Sequence, residues 1–196
     1  MERESLFLII AFLISIIDLF FYWKGIFRGE IIPHPFTFFI WTVILTISSL
    51  ELIRGEEWRW VLSISIPTMS CFFALIFGMS KWKILSINWL DYFFFISGIC
   101  LIIFWQIEPR YTHVLTVMIV IDATAYASSF KKAWIAPFTE NSLPYLISVA
   151  VYISTIFAIS VWNFENLGLW IWTAGVNFTF ACFIFGRQYY VKRFRN

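Results

Sequence analysis

The sequence predicts an all-α membrane protein with seven transmembrane helices, and three observations carry that expectation. Of the 196 residues, 61% are hydrophobic and only 13% are charged, where a globular domain carries about a quarter charged residues. The mean hydropathy is +0.81. The apolar residues come in unbroken blocks of helix-spanning length, not in the alternation a membrane β-barrel needs. Loops between the blocks are short, leaving no room for a soluble domain.

Crossing about 30 Å of hydrocarbon takes roughly 20 apolar residues. Seven stretches qualify: 6–23, 36–53, 60–80, 90–106, 112–130, 143–161 and 167–186. The first is expected to be retained as a span, because Met1–Ser5 lacks the basic start of a cleaved signal and no small-residue cleavage site follows. Backbone amides in lipid must be paired within the segment, so each stretch is expected to be helical. Pro35 and Pro144 stand at helix starts, where proline is tolerated. Pro67, inside the third stretch, is the one mid-helix candidate for a bend.

The basic residues set the orientation. Lys24, Arg28, Lys81, Lys83, Lys131, Lys132, Arg187, Lys192, Arg193 and Arg195 fall on one side; Arg3, Arg54, Arg59 and Arg110 fall on the other. This places the N-terminus outside and the C-terminus in the cytoplasm, in a protein expected in the plasma membrane. Ten of the eleven tryptophans lie near span ends, Trp41 being the exception. A net charge of +2 is too small to suggest a nucleic-acid partner. Cys71, Cys100 and Cys182 each sit in an apolar run and are expected to be unpaired.

The first and fifth spans align without a gap. "IDLFFYWKGIFRGEIIP" (Ile17–Pro33) matches "IDATAYASSFKKAWIAP" (Ile121–Pro137), pairing Asp18 with Asp122 and Tyr22 with Tyr126. In the next helix Phe38 falls opposite Tyr145 and Trp41 opposite Ser148. "ALIFG" (Ala74–Gly78) faces "CFIFG" (Cys182–Gly186), which pairs Asn177 with Met69. The expected plan is 3+1+3: residues 1–86 as one triplet, 87–110 as a linker helix, and 111–196 as a second triplet with a short basic tail. A single linking span makes the triplets parallel repeats, a plan found in transporters.

That order, with "KGIFRGEIIPHPFTFFIW", "WLDYFFFISGICLIIFW", "DATAYASSFKKAWIAPFTENSLPYLIS" and "WNFENLGLWIW", resembles the SWEET/PQ-loop sugar-transporter superfamily. It is closer still to a group of small prokaryotic seven-helix membrane proteins of the same design. Lys132, Pro137, Glu140 and Asn141 form the most specific element of the likeness. The resemblance implies the fold and, more distantly, transport of a sugar-like solute. It also implies a solute contact at Asn177, since SWEET-like proteins carry a binding asparagine in this helix. The chain departs from the pattern in lacking the Pro-Gln pair of the first helix of each repeat: Tyr22-Trp23 and Tyr126-Ala127-Ser128 stand there instead.

The candidate substrate-binding residues are Asp122, Asn177, Trp41, Ser148 and Asp18. An intramembrane carboxylate costs about 2.5–3.5 kcal/mol to insert and must face a cavity or a partner. Asp18 and Asp122 therefore either hold a solute or cation, or tie helices together through neighbouring hydroxyls. Trp41 either stacks on a solute ring or packs; Asn177 either binds or makes an interhelical bond. His34 and His113 are expected at the membrane edge, without metal-ligand spacing to Cys, Asp or Glu. Glu140-Asn141 is expected to cap the sixth helix. "GEEWRW" (Gly55–Trp60) lacks the companions a protease site needs, and no hydrolytic motif occurs. All six lysines lie at span ends, which excludes a retinal Schiff base.

The expected function is a carrier of a small polar solute by alternating access, with no enzymatic step and no cofactor or metal. The alternative is a membrane scaffold or accessory subunit of the same fold, and a lipid-handling protein is a third. The expected partners are the lipid bilayer and the solute, and a homo-oligomer is compatible with the sequence.

Overall fold

A computed structural model describes residues 2–82, 85, 87–107 and 114–194. Lys83, Arg110, His113 and Arg195 lie outside the described residues, and so does part of the expected linker boundary. The described chain forms seven α-helices: α1 (Glu2–Phe27), α2 (Pro35–Arg54), α3 (Trp58–Ser80), α4 (Trp89–Ile107), α5 (Val114–Ile135), α6 (Ser142–Ala158) and α7 (Phe164–Phe194). A short 3-10 turn, Pro137–Thr139, precedes α6. Each helix covers one expected span to within a few residues, except that α7 continues beyond its span into the basic tail.

Four of the helices, α1, α2, α4 and α7, are long and apolar enough to cross a membrane. Shorter apolar helical stretches occupy Ile64–Ser80 and Ser142–Ala158. The fifth helix carries Asp122, Ser128, Ser129, Lys131 and Lys132 and is not among the four. It packs against α2, α4 and α7, so its polar residues have protein neighbours on several sides. The outward faces are apolar: Leu13, Phe20, Phe93, Ile103, Phe178 and Phe185 are all exposed. The three cysteines are free, as the sequence leads one to expect.

Helix ends follow local chemistry. The first helix closes in a Schellman motif: Gly29 has a φ of +72°, and the Gly29 and Glu30 amides donate to the Ile26 and Gly25 carbonyls at 3.0 and 2.9 Å. Pro35 begins α2 with its missing N–H in a place where none is needed. At α4, the Asn88 side chain accepts from the Leu90 amide and the Asp91 carboxylate accepts from the Asn88 amide, a reciprocal capping box. Asn141 caps α6 by accepting from the Leu143 amide at 3.0 Å.

The packing pairs helices in a recurring way. Helix α3 packs against α1 and α2, and α7 packs against α5 and α6. Contact between these groups runs through α1 against α6 and α2 against α5, while α4 lies on α5 and α2. Two aromatic clusters mark the groups. Tyr22 and Phe38 lie 5.8 Å apart between ring centroids in one; Tyr126, Tyr145 and Phe180 pack together in the other.

The buried faces of α3 and α7 do not fall in step at the sequence match between their Phe-Gly ends. Ala74 and Gly78 are the buried positions of lower α3, whereas their proposed counterparts, Cys182 and Gly186, are exposed. Phe180 and Ile184 are buried instead, two residues earlier, and the exposed positions fall into step at the same shift. At that shift Asn177 falls opposite Cys71 and Trp172 opposite Ile66. An apolar helix meets lipid as readily as protein, so residue type alone does not mark the packed face.

The two glycines therefore differ in surroundings. A Cβ at Gly78 would stand 2.7 Å from the Pro33 carbonyl oxygen, while one at Gly186 meets nothing within 4 Å. Gly78→Ala is expected to destabilise the protein by about 1–3 kcal/mol through that backbone clash. Gly186→Ala should be neutral or stabilising by up to about 1 kcal/mol through helix propensity. Thermal unfolding of both variants in detergent checks the pair, and equal losses would mean that the two glycines have like surroundings.

Candidate functional site

Asp122 lies in α5 with both carboxylate oxygens occupied. The Trp41 indole Nε1 of α2 donates to Oδ1 at 2.8 Å, and the Trp172 Nε1 of α7 donates to Oδ2 at 2.9 Å. The Trp41 ring also meets Tyr126 edge-on, with centroids 5.0 Å apart. An indole supplies one N–H donor and no acceptor, which suits a carboxylate cut off from water.

Asp18 occupies the matching place in α1. Its Oδ2 accepts from the Ser148 hydroxyl of α6 at 2.6 Å. The sequence alignment sets Asp18 against Asp122 and Ser148 against Trp41. The structure joins these positions crosswise, Trp41 to Asp122 and Ser148 to Asp18, at the two places where the helix groups meet.

The pairs differ in their third member. Trp172 reaches Asp122 from α7, whereas the residue of α3 opposite Trp172 when the buried faces are set in step is Ile66, which has no side-chain donor. The other oxygen of Asp18, Oδ1, is buried without a partner. One turn further along α1, the buried Tyr22 hydroxyl also has no partner. Residues four apart share a helix face, with Cβ atoms about 5–6 Å apart. An acceptor and a hydroxyl, each without a hydrogen-bond partner, thus belong to one face of α1.

Asn177 is buried, but its side-chain amide donates to the Thr173 carbonyl of its own helix at 2.8 Å. It joins neither carboxylate and makes no interhelical bond through that amide nitrogen. Thr37, fully buried at the start of α2, donates to the Ala125 carbonyl at 2.8 Å and lies 3.0 Å from the Ser129 hydroxyl.

A second polar cluster, which the sequence analysis did not assemble, sits where α1 and α5 end. Lys131 pairs with Asp91 of α4, and Lys132 pairs with Glu140 at 2.5 Å while also donating to the Ile32 carbonyl. The Tyr145 hydroxyl adds a bond to Glu140 at 3.2 Å. His34, expected at the membrane edge, is instead buried, with Nε2 3.6 Å from Asp91 Oδ1. Glu140, expected as a helix cap, is buried as the partner of Lys132, and Asn141 alone does the capping. Both corrections have one cause: the loops fold inward over the helix ends, and burial then demands charge partners.

Burial pushes the Glu140 carboxyl up from the usual range, against the opposing pull of Lys132. Burial also lowers His34 from 6.5 to about 4; Asp91 works against this, and Lys132 and Lys131 reinforce it. A cavity of about 40 Å³ lies against Ile32, His34, Asp91, Lys131, Lys132 and Thr139. His34 Nδ1 and Asp91 Oδ1 are buried there without partners. Among the described residues no group of three or more His, Cys, Asp or Glu is arranged to hold a metal.

Comparison with protein-family models, with curated proteins and with solved structures finds no match to this chain.

The neutral state of His34 has a measurable consequence. Between about pH 6.5 and about pH 4 the unfolded imidazole binds a proton that the folded one does not, so stability falls as pH drops through that window. His34→Gln should flatten this part of the profile. Thermal midpoints in detergent across the window give the slope, and an unchanged slope would mean that His34 titrates normally.

Proposed function

We propose that this protein is an integral membrane carrier that moves a small polar solute by alternating access. In this reading α1–α3 and α5–α7 are like-directed triplets joined by α4, with the N-terminus outside and the C-terminus in the cytoplasm. The recurring packing supports the plan: the third helix of each triplet packs against the other two, and α1 with α6 mirrors α5 with α2.

The observation that carries the reading is the crossed pair of carboxylate bonds. Trp41–Asp122 and Ser148–Asp18 each join one triplet to the other, at matched positions within the apolar helices. Triplets that rock against each other must exchange bonds at these seams. A solute bearing hydroxyl or amino groups supplies replacement donors. The two carboxylates divide the work. Asp122 is saturated by two indoles and acts as a pivot, while the open Asp18 oxygen and the Tyr22 hydroxyl form the solute contact. Trp41 and Ser148 act through the carboxylates they bond, and Asn177 borders the path. A sugar is the substrate suggested by the SWEET/PQ-loop resemblance.

A non-transporting scaffold is the second reading, favoured by the saturation of Asp122 and the inward turn of Asn177 onto its own helix. Uptake by protein reconstituted in vesicles separates the two. Asp18→Asn is expected to lower uptake about tenfold, or about 1.4 kcal/mol, with little loss of thermal stability because Ser148 can still donate. Asp122→Asn should lower stability first, because an amide nitrogen cannot accept from an indole. Wild-type uptake no faster than in protein-free vesicles, across sugars, amino acids and vitamins, would favour the scaffold.

A further inference from the structure

We propose that the charged cluster at the basic end is a latch that holds the carrier shut on that side and must part when the solute passes; this rests on the carrier reading above. The parts of the latch come from both triplets and the linker. The loop after α1 contributes Ile32 and His34, α4 contributes Asp91, and the end of α5 with its following turn contributes Lys131, Lys132, Thr139 and Glu140. Between the two loops the Ile32 amide donates to the Thr139 carbonyl at 3.0 Å. The Lys132 ammonium grips the Ile32 carbonyl from one triplet and Glu140 from its own. Lys131 fastens the same end of α5 to Asp91.

Energetics suit this joint to opening. A buried ion pair gains Coulomb energy but gives up the hydration of both charges, and the two nearly cancel. Separating Lys132 from Glu140 and Lys131 from Asp91 in the presence of water returns that hydration, so opening costs little. A tightly packed apolar joint would have no such return. The cavity beside the cluster, with His34 Nδ1 and Asp91 Oδ1 unmet in its neighbourhood, leaves room for water to enter as the pairs part. The latch carries two positive and two negative side chains with neutral His34, so the closed state is balanced in charge. The Lys132 and Glu140 side chains are only 5% and 3% exposed, so neither is a solvated surface charge.

Ser129 lies buried one turn beneath Lys132 and reports on the gate. The test uses full-length protein in vesicles with the three natural cysteines replaced by alanine and Ser129→Cys introduced. A charged, membrane-impermeant thiol reagent is applied from the basic side. The cysteine should react slowly behind an intact latch. With Lys132→Gln it should react about tenfold faster, a shift of about 1.4 kcal/mol in the opening equilibrium. The exchanged pair Lys132→Glu with Glu140→Lys should slow it again. If Lys132→Gln does not fold, Glu140→Gln removes one charge at nearly constant shape and gives the same readout. Unchanged reactivity in a folded Lys132→Gln or Glu140→Gln variant overturns the latch. The assay needs no substrate, so a latch that responds in a protein that transports nothing would refute the carrier and leave the latch standing.

Discussion

A carboxylate inside an apolar helix must find hydrogen-bond donors, and in this protein that need organises the packing around α1 and α5. Asp18 and Asp122 draw Ser148, Trp41 and Trp172 from three other helices. The helices that meet at these bonds, α1 with α6 and α2 with α5, are the ones that join the two helix groups. Leaving a buried charged group unmet costs more than an ordinary hydrogen bond contributes. The bonds therefore help to fix the relative register of the groups, together with the packed apolar contacts around them.

Against this common frame, the differences between the halves are informative. A second indole satisfies Asp122, while Asp18 has Ser148 on one oxygen and no partner on the other. The Tyr22 hydroxyl, one turn along α1 from Asp18, is likewise buried without a hydrogen-bond partner.

The end of the bundle bearing the basic loops is tied by charge, while the middle is tied by single hydrogen bonds. Asp91 serves two purposes there: it closes the capping box that starts α4 and it receives Lys131 from α5. Helix α4 is thereby attached to the second group at this end, while its body also lies along α2. The long basic end of α7 lies close by, with Gln188 donating to the Pro137 and Glu140 carbonyls and the Arg187 guanidinium stacked 4.0 Å from the Trp134 ring centroid. The loops are thus held from beneath by α5 and from the side by α7.

Hydrophobic blocks and helix-end residues in the sequence alone determined the helices. The apolar runs predicted all seven, and Asn141, Pro35 and Gly29 stand at their boundaries because capping and turn chemistry are local. That Asp18, Asp122, Trp41 and Ser148 stand out among apolar neighbours was also legible, because polar residues are scarce in such helices. The partners of these residues were not. Trp172 looked like one more interfacial tryptophan, because a side chain's hydrogen-bond partner lies on another helix and leaves no trace in its own segment. The partners of His34 and Glu140, Asp91 and Lys132, lie on other elements and left no trace for the same reason. Which faces of α3 and α7 are packed was decided only by the tertiary contacts, because both faces of each helix are apolar.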